Sequence, residues 1–409
     1  MNEQGLKKYA ELLVKAGGNI QKGQLVIIGC QVDNAVFGRL VCDYAYQAGA
    51  GEVRIEWTDD HTNRAYYLHG DDSIFDQFAD WRVDKLKEQD DRGAVYLHIA
   101  SGNPDNLKGV DPSRLRRANK VSQQKTKDHS ALMMSSTLRW SIVATPSVAW
   151  ATKVFPDQTP EKAVESLWAL IIKAARADGE DPIADWKRHD ETFTSRVNYL
   201  NDQQFASLHI TTGIGSDFTL GLVENHVWEG GSDTDRDGVR FFPNIPTEEI
   251  FTMPHRDKAE GRVVASMPLS YQGNLIEGFE FTFKDGKVVD YKADKNQETL
   301  KNMVEMDEGA TRLGEIAIVA NSSPIGQMNT LFYNTLFDEN ASAHLALGKA
   351  YPKNMQGGDD LTVEELTAKG GNDSLIHVDF MFGTKDMSIT GIKKDGTKVE
   401  FFKDGEFVI

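Results

Sequence analysis

The run from Gln24 to Cys30, Gln-Leu-Val-Ile-Ile-Gly-Cys, constrains the fold more than any other part of the chain. A short, continuous apolar run of this kind suits a strand buried on both faces, and such a strand needs helices above and below its sheet. The residues that follow supply them. Val36 to Gly49 reads as a helix that ends at a glycine, and Glu52 to Trp57 reads as a second strand. Ala94 to Ala100 and Leu138 to Thr145 repeat the strand pattern, with helical segments around Ile74 to Leu86 and Pro112 to Thr126. The first half is therefore expected to be an α/β domain with a mostly parallel sheet. Gly29, Gly49 and Gly51 do not form a Gly-x-Gly-x-x-Gly after a strand, which argues against a dinucleotide site.

The pattern changes further on. Pro160 to Ala177 is an amphipathic helix with Ala163, Leu167, Leu170 and Ile171 on its buried side. Asp178-Gly179-Glu180-Asp181-Pro182 then breaks the structure, and a helix follows through Trp186 to Leu200. From Ala206 the chain reads as β: Ser207 to Thr212, Asp217 to Leu222, Arg262 to Met267 and Gly278 to Phe283. Asp285-Gly286, Asp395-Gly396 and Asp404-Gly405 lie between strand-like runs and signal tight hairpins. The expected organisation is an α/β domain over residues 1–190 and an α+β domain, rich in antiparallel sheet, over residues 191–409.

Composition removes several functions. The net charge of −17 repels a phosphate backbone; Arg114, Arg116, Arg117 and Lys120 read as the solvated face of a helix, so nucleic acid is not an expected partner. No apolar run approaches the roughly 20 residues of a membrane span. Cys30 and Cys42, the two cysteines, fall on a strand and on the next helix and read as separate thiols. The N-terminus begins an amphipathic helix with Leu6, Tyr9, Leu12 and Leu13 on one side and Asn2, Glu3, Gln4, Lys7, Lys8 and Glu11 as its polar residues, without the apolar centre of a signal peptide. A cytoplasmic protein is expected.

Chemistry concentrates near the C-terminal end. The segment Leu336 to Tyr351 reads as a short helix, with Asn340 or Ser342 as its N-cap and with His344 and Tyr351 two turns apart on one side. His377-Val378-Asp379-Phe380 alternates polar and apolar residues, which places His377 and Asp379 on one face of a strand. Imidazoles, a phenol and carboxylates gathered this way suit a divalent metal. The other eight histidines have no second ligand-type residue at useful spacing in a regular element and read as structural.

Two further places in the second domain hold carboxylates. Glu248 and Glu249 follow the Pro246 turn and precede the apolar Ile250 and Phe251. Glu315 heads the buried run Ile316 to Val319, where it must be paired, protonated or bound to a cation. Arg312 is the local candidate for a salt bridge, and Gly314 permits close approach.

Four segments, Pro243 to Pro254, Leu313-Gly314-Glu315, Asp338 to Gly348 and His377 to Met381, resemble those of the thermophilic-type metallo-aminopeptidases of peptidase family M29. The resemblance extends over essentially the whole chain. It implies a pair of divalent ions in the C-terminal domain, a homodimer, and removal of N-terminal residues from short peptides with a free amine. It places the metal ligands on Glu249, Glu315, His344, His377 and Asp379, with Glu339 and Tyr351 at further active-site positions. Carboxylates and imidazoles without thiolates suit Zn²⁺, Co²⁺ or Mn²⁺. Glu315, at a rigid strand end with two oxygens to share, is the expected bridge between ions roughly 3.5–4 Å apart. Glu339 is the expected proton acceptor for the attacking water and Tyr351 the donor to the developing oxyanion; the competing assignment makes both of them ligands. A phosphate-ester hydrolase and a non-catalytic peptide- or metal-binding module are the alternatives. The first lacks Lys or Arg within the ligand-bearing motifs, and the second does not require a complete ligand set.

Overall fold

The computed structural model describes residues 3–409, so Asn2, at the expected start of the first helix, lies outside the described residues. The chain divides into two compact units. One comprises the residues up to Arg188 together with Ser232–Pro246; the other comprises His189–Gly231 and Thr247–Ile409.

In the first unit the described residues form a four-stranded sheet, entirely parallel, in the order Glu52–Thr58, Leu25–Gln31, Val95–Ala100, Trp140–Ala144. Leu25–Gln31 is central, and Val26, Ile28 and Leu97 are fully buried, as the continuous apolar run requires. Helix Glu3–Leu12 buries Tyr9 and Leu12. The Tyr9 hydroxyl donates to the Ala144 carbonyl at 3.0 Å and accepts from the Ala144 N–H, so it satisfies a strand end. Cys30 and Cys42 are free thiols.

A boundary at a single point near residue 190 does not describe the 232–246 excursion. That segment lays its backbone along the strand Trp140–Ala144: Ile142 N–H donates to Pro243 O, and Ile245 N–H to Ile142 O. The buried Arg139 pairs with Asp235 at 2.8 Å.

The second unit is antiparallel, apart from its helices. One sheet runs through Lys287–Lys292, Glu280–Lys284, Pro254–Val264, Asp217–Leu222, Ser207–Thr211, Ser388–Ile392, Lys398–Lys403 and Glu406–Phe407. The Asp-Gly pairs make its turns as expected: Asp285 and Gly286 have φ of 49° and 76°, and Asp404 and Gly405 have φ of 50° and 73°.

A second sheet carries the chemistry. Its order is His377–Met381, His344–Gly348, Leu313–Val319, Glu249–Thr252, Glu229–Gly230, with every neighbouring pair antiparallel. Ile250, Ile316, Ile318, Leu345, Leu347 and Phe380 enter one hydrophobic core. The residues that alternate with them turn to the opposite face. Gly314 and Gly348 are needed where adjacent strand ends meet. A Cβ on Gly314 would lie 2.4 Å from the carbonyl oxygens of Gly348 and Lys349. A Cβ on Gly348, whose φ is 112°, would lie 2.0 Å from that of Ile376.

Candidate metal centre

Strand register determines which side chains share the open face of this sheet. Glu249 pairs with Val319, Ala317 with His344, Glu315 with Ala346, Ala346 with Asp379, and Gly348 with His377. Residues opposite one another in an antiparallel pair point the same way, and so do alternate residues of one strand. Glu249, Glu315, His344, His377 and Asp379 therefore all project from one face, away from the core.

This result corrects the helical reading of Leu336 to Tyr351. His344–Gly348 is a strand, preceded by a helical turn at Thr335–Asp338 and a 3₁₀ turn at Glu339–Ala341. The run His-Leu-Ala-Leu-Gly alternates its large apolar residues at Leu345 and Leu347, and sheet pairing on both sides outweighs the helix propensity of alanine and leucine. Neither Asn340 nor Ser342 is an N-cap. Tyr351 is not two helical turns from His344; it lies just beyond the strand, its ring centroid 4.7 Å from that of His377.

Two groups of ligand-type atoms result, each lying within a 4.8 Å span: Glu249, Glu315 and His344 in one, Glu315, His377 and Asp379 in the other. Nε2 of His344 is 3.1 Å from Glu249 Oε2 and 3.7 Å from Glu315 Oε1. Nε2 of His377 is 3.6 Å from Glu315 Oε2 and 3.3 Å from Asp379 Oδ1. Glu315, 5 % exposed, thus turns one oxygen to each group.

Both imidazoles are oriented from behind by backbone. Nδ1 of His344 lies 3.2 Å from the Ser342 carbonyl and Nδ1 of His377 lies 2.7 Å from that of Lys349. A carbonyl only accepts, so each Nδ1 carries the hydrogen, and in the neutral ring Nε2 presents its lone pair to the carboxylates. Metal-binding histidines are held in the same way.

The proton affinities follow from the crowding. Burial opposes the imidazolium of His344, but the carboxylates of Glu249 and Glu315 against it win, and its pKa lies well above the ordinary value. His377 is likewise opposed by burial, yet the adjacent Asp379 and Glu315 raise it from 6.5 to about 9. Burial raises Glu315, and Asp379 and Glu249 add to the effect. Burial of Asp379 acts upward as well, but the imidazoles hold it below the usual range. Glu339, half-buried on the 3₁₀ turn, is pushed well above the carboxylate range by burial and by the charges of Glu249 and Asp379. Burial raises the Tyr351 phenol, and the same carboxylates raise it further.

A divalent cation fits this arrangement. Asp379 Oδ1 is buried and has no hydrogen-bond partner, its approach to His377 falling outside hydrogen-bond geometry. Such an orphan in a cluster of carboxylates is costly without a positive charge beside it. The donors are oxygens and imidazole nitrogens, hard to borderline in character, with both cysteines in the other unit.

One sequence reading does not hold. Arg312 does not serve Glu315; it donates to the Arg256 carbonyl and pairs with Asp257 at 2.5 Å. Glu248 precedes the strand that Glu249 begins and is in neither ligand group; it is buried, with His189 Nε2 4.0 Å away. The orienting carbonyls of Ser342 and Lys349 were invisible in the sequence, since any residue supplies a carbonyl.

The sequence profile of the thermophilic metalloprotease family (M29) matches residues 2–407. The chain is 45 % identical to aminopeptidase 2 of Geobacillus stearothermophilus over 405 residues, 99 % of this chain and 98 % of that protein. It is 41 % identical to aminopeptidase AmpS of Bacillus subtilis (strain 168) over 404 residues, again 99 % and 98 %. The solved structure of wild-type AmpT from Thermus thermophilus is similar over the full length of both chains, with a TM-score of 0.92 at 36 % identity. The chain belongs to the thermophilic metalloprotease family M29, the metallo-aminopeptidase family that its four motifs resemble.

Proposed function

We propose that this enzyme releases N-terminal residues one at a time from short, unblocked peptides, using water activated at a pair of divalent ions. The observation that carries the two-ion reading is Glu315, whose two oxygens face separate imidazoles. Glu249 and His344 would hold one ion, His377 and Asp379 the other, and Glu315 both. Bound there, Zn²⁺, Co²⁺ or Mn²⁺ supplies Lewis acidity towards the scissile carbonyl and lowers the pKa of water towards neutrality.

The chain's own groups do the rest. Glu339 takes the proton of the attacking water and passes it to the leaving amine. Its raised proton affinity comes from burial and surrounding carboxylates, and cations among those carboxylates reverse the repulsion. Tyr351 stays protonated across the working range, so its hydroxyl is a donor for the oxyanion. The Ser342 and Lys349 carbonyls keep the imidazoles from rotating. An acidic site recognises a free α-amine and has nothing to offer a blocked one. With Glu248 in neither ligand group, Glu339 and Asp379 are left for that role. We also expect a cytoplasmic homodimer.

The test is digestion of a ten-residue peptide and its N-acetylated form, followed by mass spectrometry. A ladder of N-terminal truncations from the free peptide alone is the expected result. Internal fragments, or equal cleavage of the acetylated peptide, overturn the reading.

A further inference from the structure

Asn340 is fully buried on the turn Glu339–Ala341, and both ends of its side chain are used. Its Oδ1 accepts from the backbone N–H of Glu248 at 2.6 Å, and its Nδ2 donates to the Leu336 carbonyl at 3.1 Å. Its own carbonyl accepts from the Ser323 hydroxyl at 2.9 Å. The Oδ1 bond spans 92 residues of sequence and joins two parts of the candidate centre. On one side is the amide of Glu248, the residue before Glu249; on the other is the residue following Glu339.

From this geometry we infer that Asn340 is a positioning residue: its amide fixes the entry of the Glu249 strand relative to the Glu339 turn, and so sets the distance between a metal-holding carboxylate and the proton acceptor. The inference rests on the roles proposed above for Glu249 and Glu339. The reason is local. Glu249 is the first residue of its strand, with Thr247 and Glu248 between it and Pro246, so ladder bonds constrain it from one side alone. Glu339 sits on a short 3₁₀ turn, which has few internal bonds of its own. A buried carboxamide with both ends engaged is stiff, and it ties each loosely held carboxylate to the other. Its contribution is to orientation, since the amide itself reaches no substrate.

The experiment uses the full-length protein with Asn340→Leu, which keeps the volume and removes both bonds, and Asn340→Asp, which keeps the acceptor for the Glu248 amide. Zinc affinity is read by competition with a chromogenic chelator, and kcat and KM are read separately at saturating zinc. Asn340→Leu is expected to weaken zinc binding about 10–100-fold, the usual effect of losing a group that orients a ligand. It should lower kcat with KM within about two-fold, as expected when transition-state geometry is lost and ground-state binding is kept. Asn340→Asp is expected to recover zinc affinity. In a Glu339→Gln background, Asn340→Leu should cost little further kcat, because the group it positions is already gone.

Wild-type zinc affinity in Asn340→Leu, or a full additional loss of kcat in the Glu339→Gln background, overturns the inference. If Asn340→Leu does not fold, Asn340→Asp decides: folded protein with zinc affinity ten-fold or more below wild type overturns it. Glu249→Ala separates this outcome from failure of the underlying reading. Undiminished zinc binding in that variant removes the metal assignment itself, whereas weakened binding there beside an unaffected Asn340→Leu removes only the role of Asn340.

Discussion

Ala346 stands opposite Glu315 in the strand register, and its methyl group lies on the same face as that carboxylate. Along its own strand it is flanked by His344 and Gly348, and on its other side it faces Asp379. It forms the floor between the two candidate ion positions, and that floor must be low. Ala346→Leu should fill the space the ions need. The expected loss in zinc affinity is at least about ten-fold, equivalent to about 1.4 kcal/mol. The metal-free fold should lose no more than the roughly 1–3 kcal/mol typical of overpacking. Zinc titration and urea unfolding of the variant check both, and undiminished zinc binding in a folded Ala346→Leu protein rejects this account of the face.

Glu315→Ala and His377→Ala should differ in kind. Glu315 belongs to both ligand groups and His377 to one. The first variant is expected to retain neither ion, and the second to keep one near Glu249 and His344. Both should lose activity by more than the roughly 10–100-fold that follows loss of a group one contact removed from a metal. Elemental analysis after dialysis gives the stoichiometry; equal metal content in the two variants contradicts a shared Glu315. EDTA should stop hydrolysis without unfolding the chain, and Zn²⁺, Co²⁺ or Mn²⁺ should restore it.

Acidity should act oppositely on stability and on metal binding. His377 is raised from 6.5 to about 9 in the metal-free protein. A group raised on folding stabilises fully below its unfolded pKa, and this contribution is lost as pH rises through the folded value. The metal-free protein should therefore lose stability between pH 6.5 and 9. Over the same interval zinc affinity should rise, because the imidazolium must give up its proton before Nε2 can bind. Urea midpoints and chelator competition at several pH values test the two slopes, and parallel slopes count against His377 as a ligand.

The sequence showed where chemistry would concentrate more clearly than how the backbone would present it. His377-Val378-Asp379 was legible as a strand because its alternation is local. His344 to Gly348 was not, because Leu345, Ala346 and Leu347 are good helix formers and only pairing with Leu313–Val319 and His377–Met381, both distant in sequence, makes the segment a strand. The need of Glu315 for a partner was readable from its apolar surroundings; that the partner is not the nearby Arg312 required knowing where Asp257 comes to lie. The parallel sheet was legible because its inner strands, Leu25–Gln31 and Val95–Ala100, carry their own apolar runs, while the edge strand Glu52–Thr58 shows in the alternation of Val53, Ile55 and Trp57 with polar residues. The return of residues 232–246 to that sheet is a backbone pairing at its edge, with no side-chain pattern to announce it.

That return has a consequence for how the gene can be divided. The polypeptide passes between the two units three times, after Arg188, after Gly231 and after Pro246, so no single cut yields two whole pieces. A fragment ending near residue 190 would leave the guanidinium of Arg139 without Asp235, a buried cation stripped of its counter-ion, and would leave the Ile142 amide without its acceptor. Exchanging one whole unit for its counterpart in a relative therefore takes junctions at all three crossings, where a chain of consecutive domains would take one.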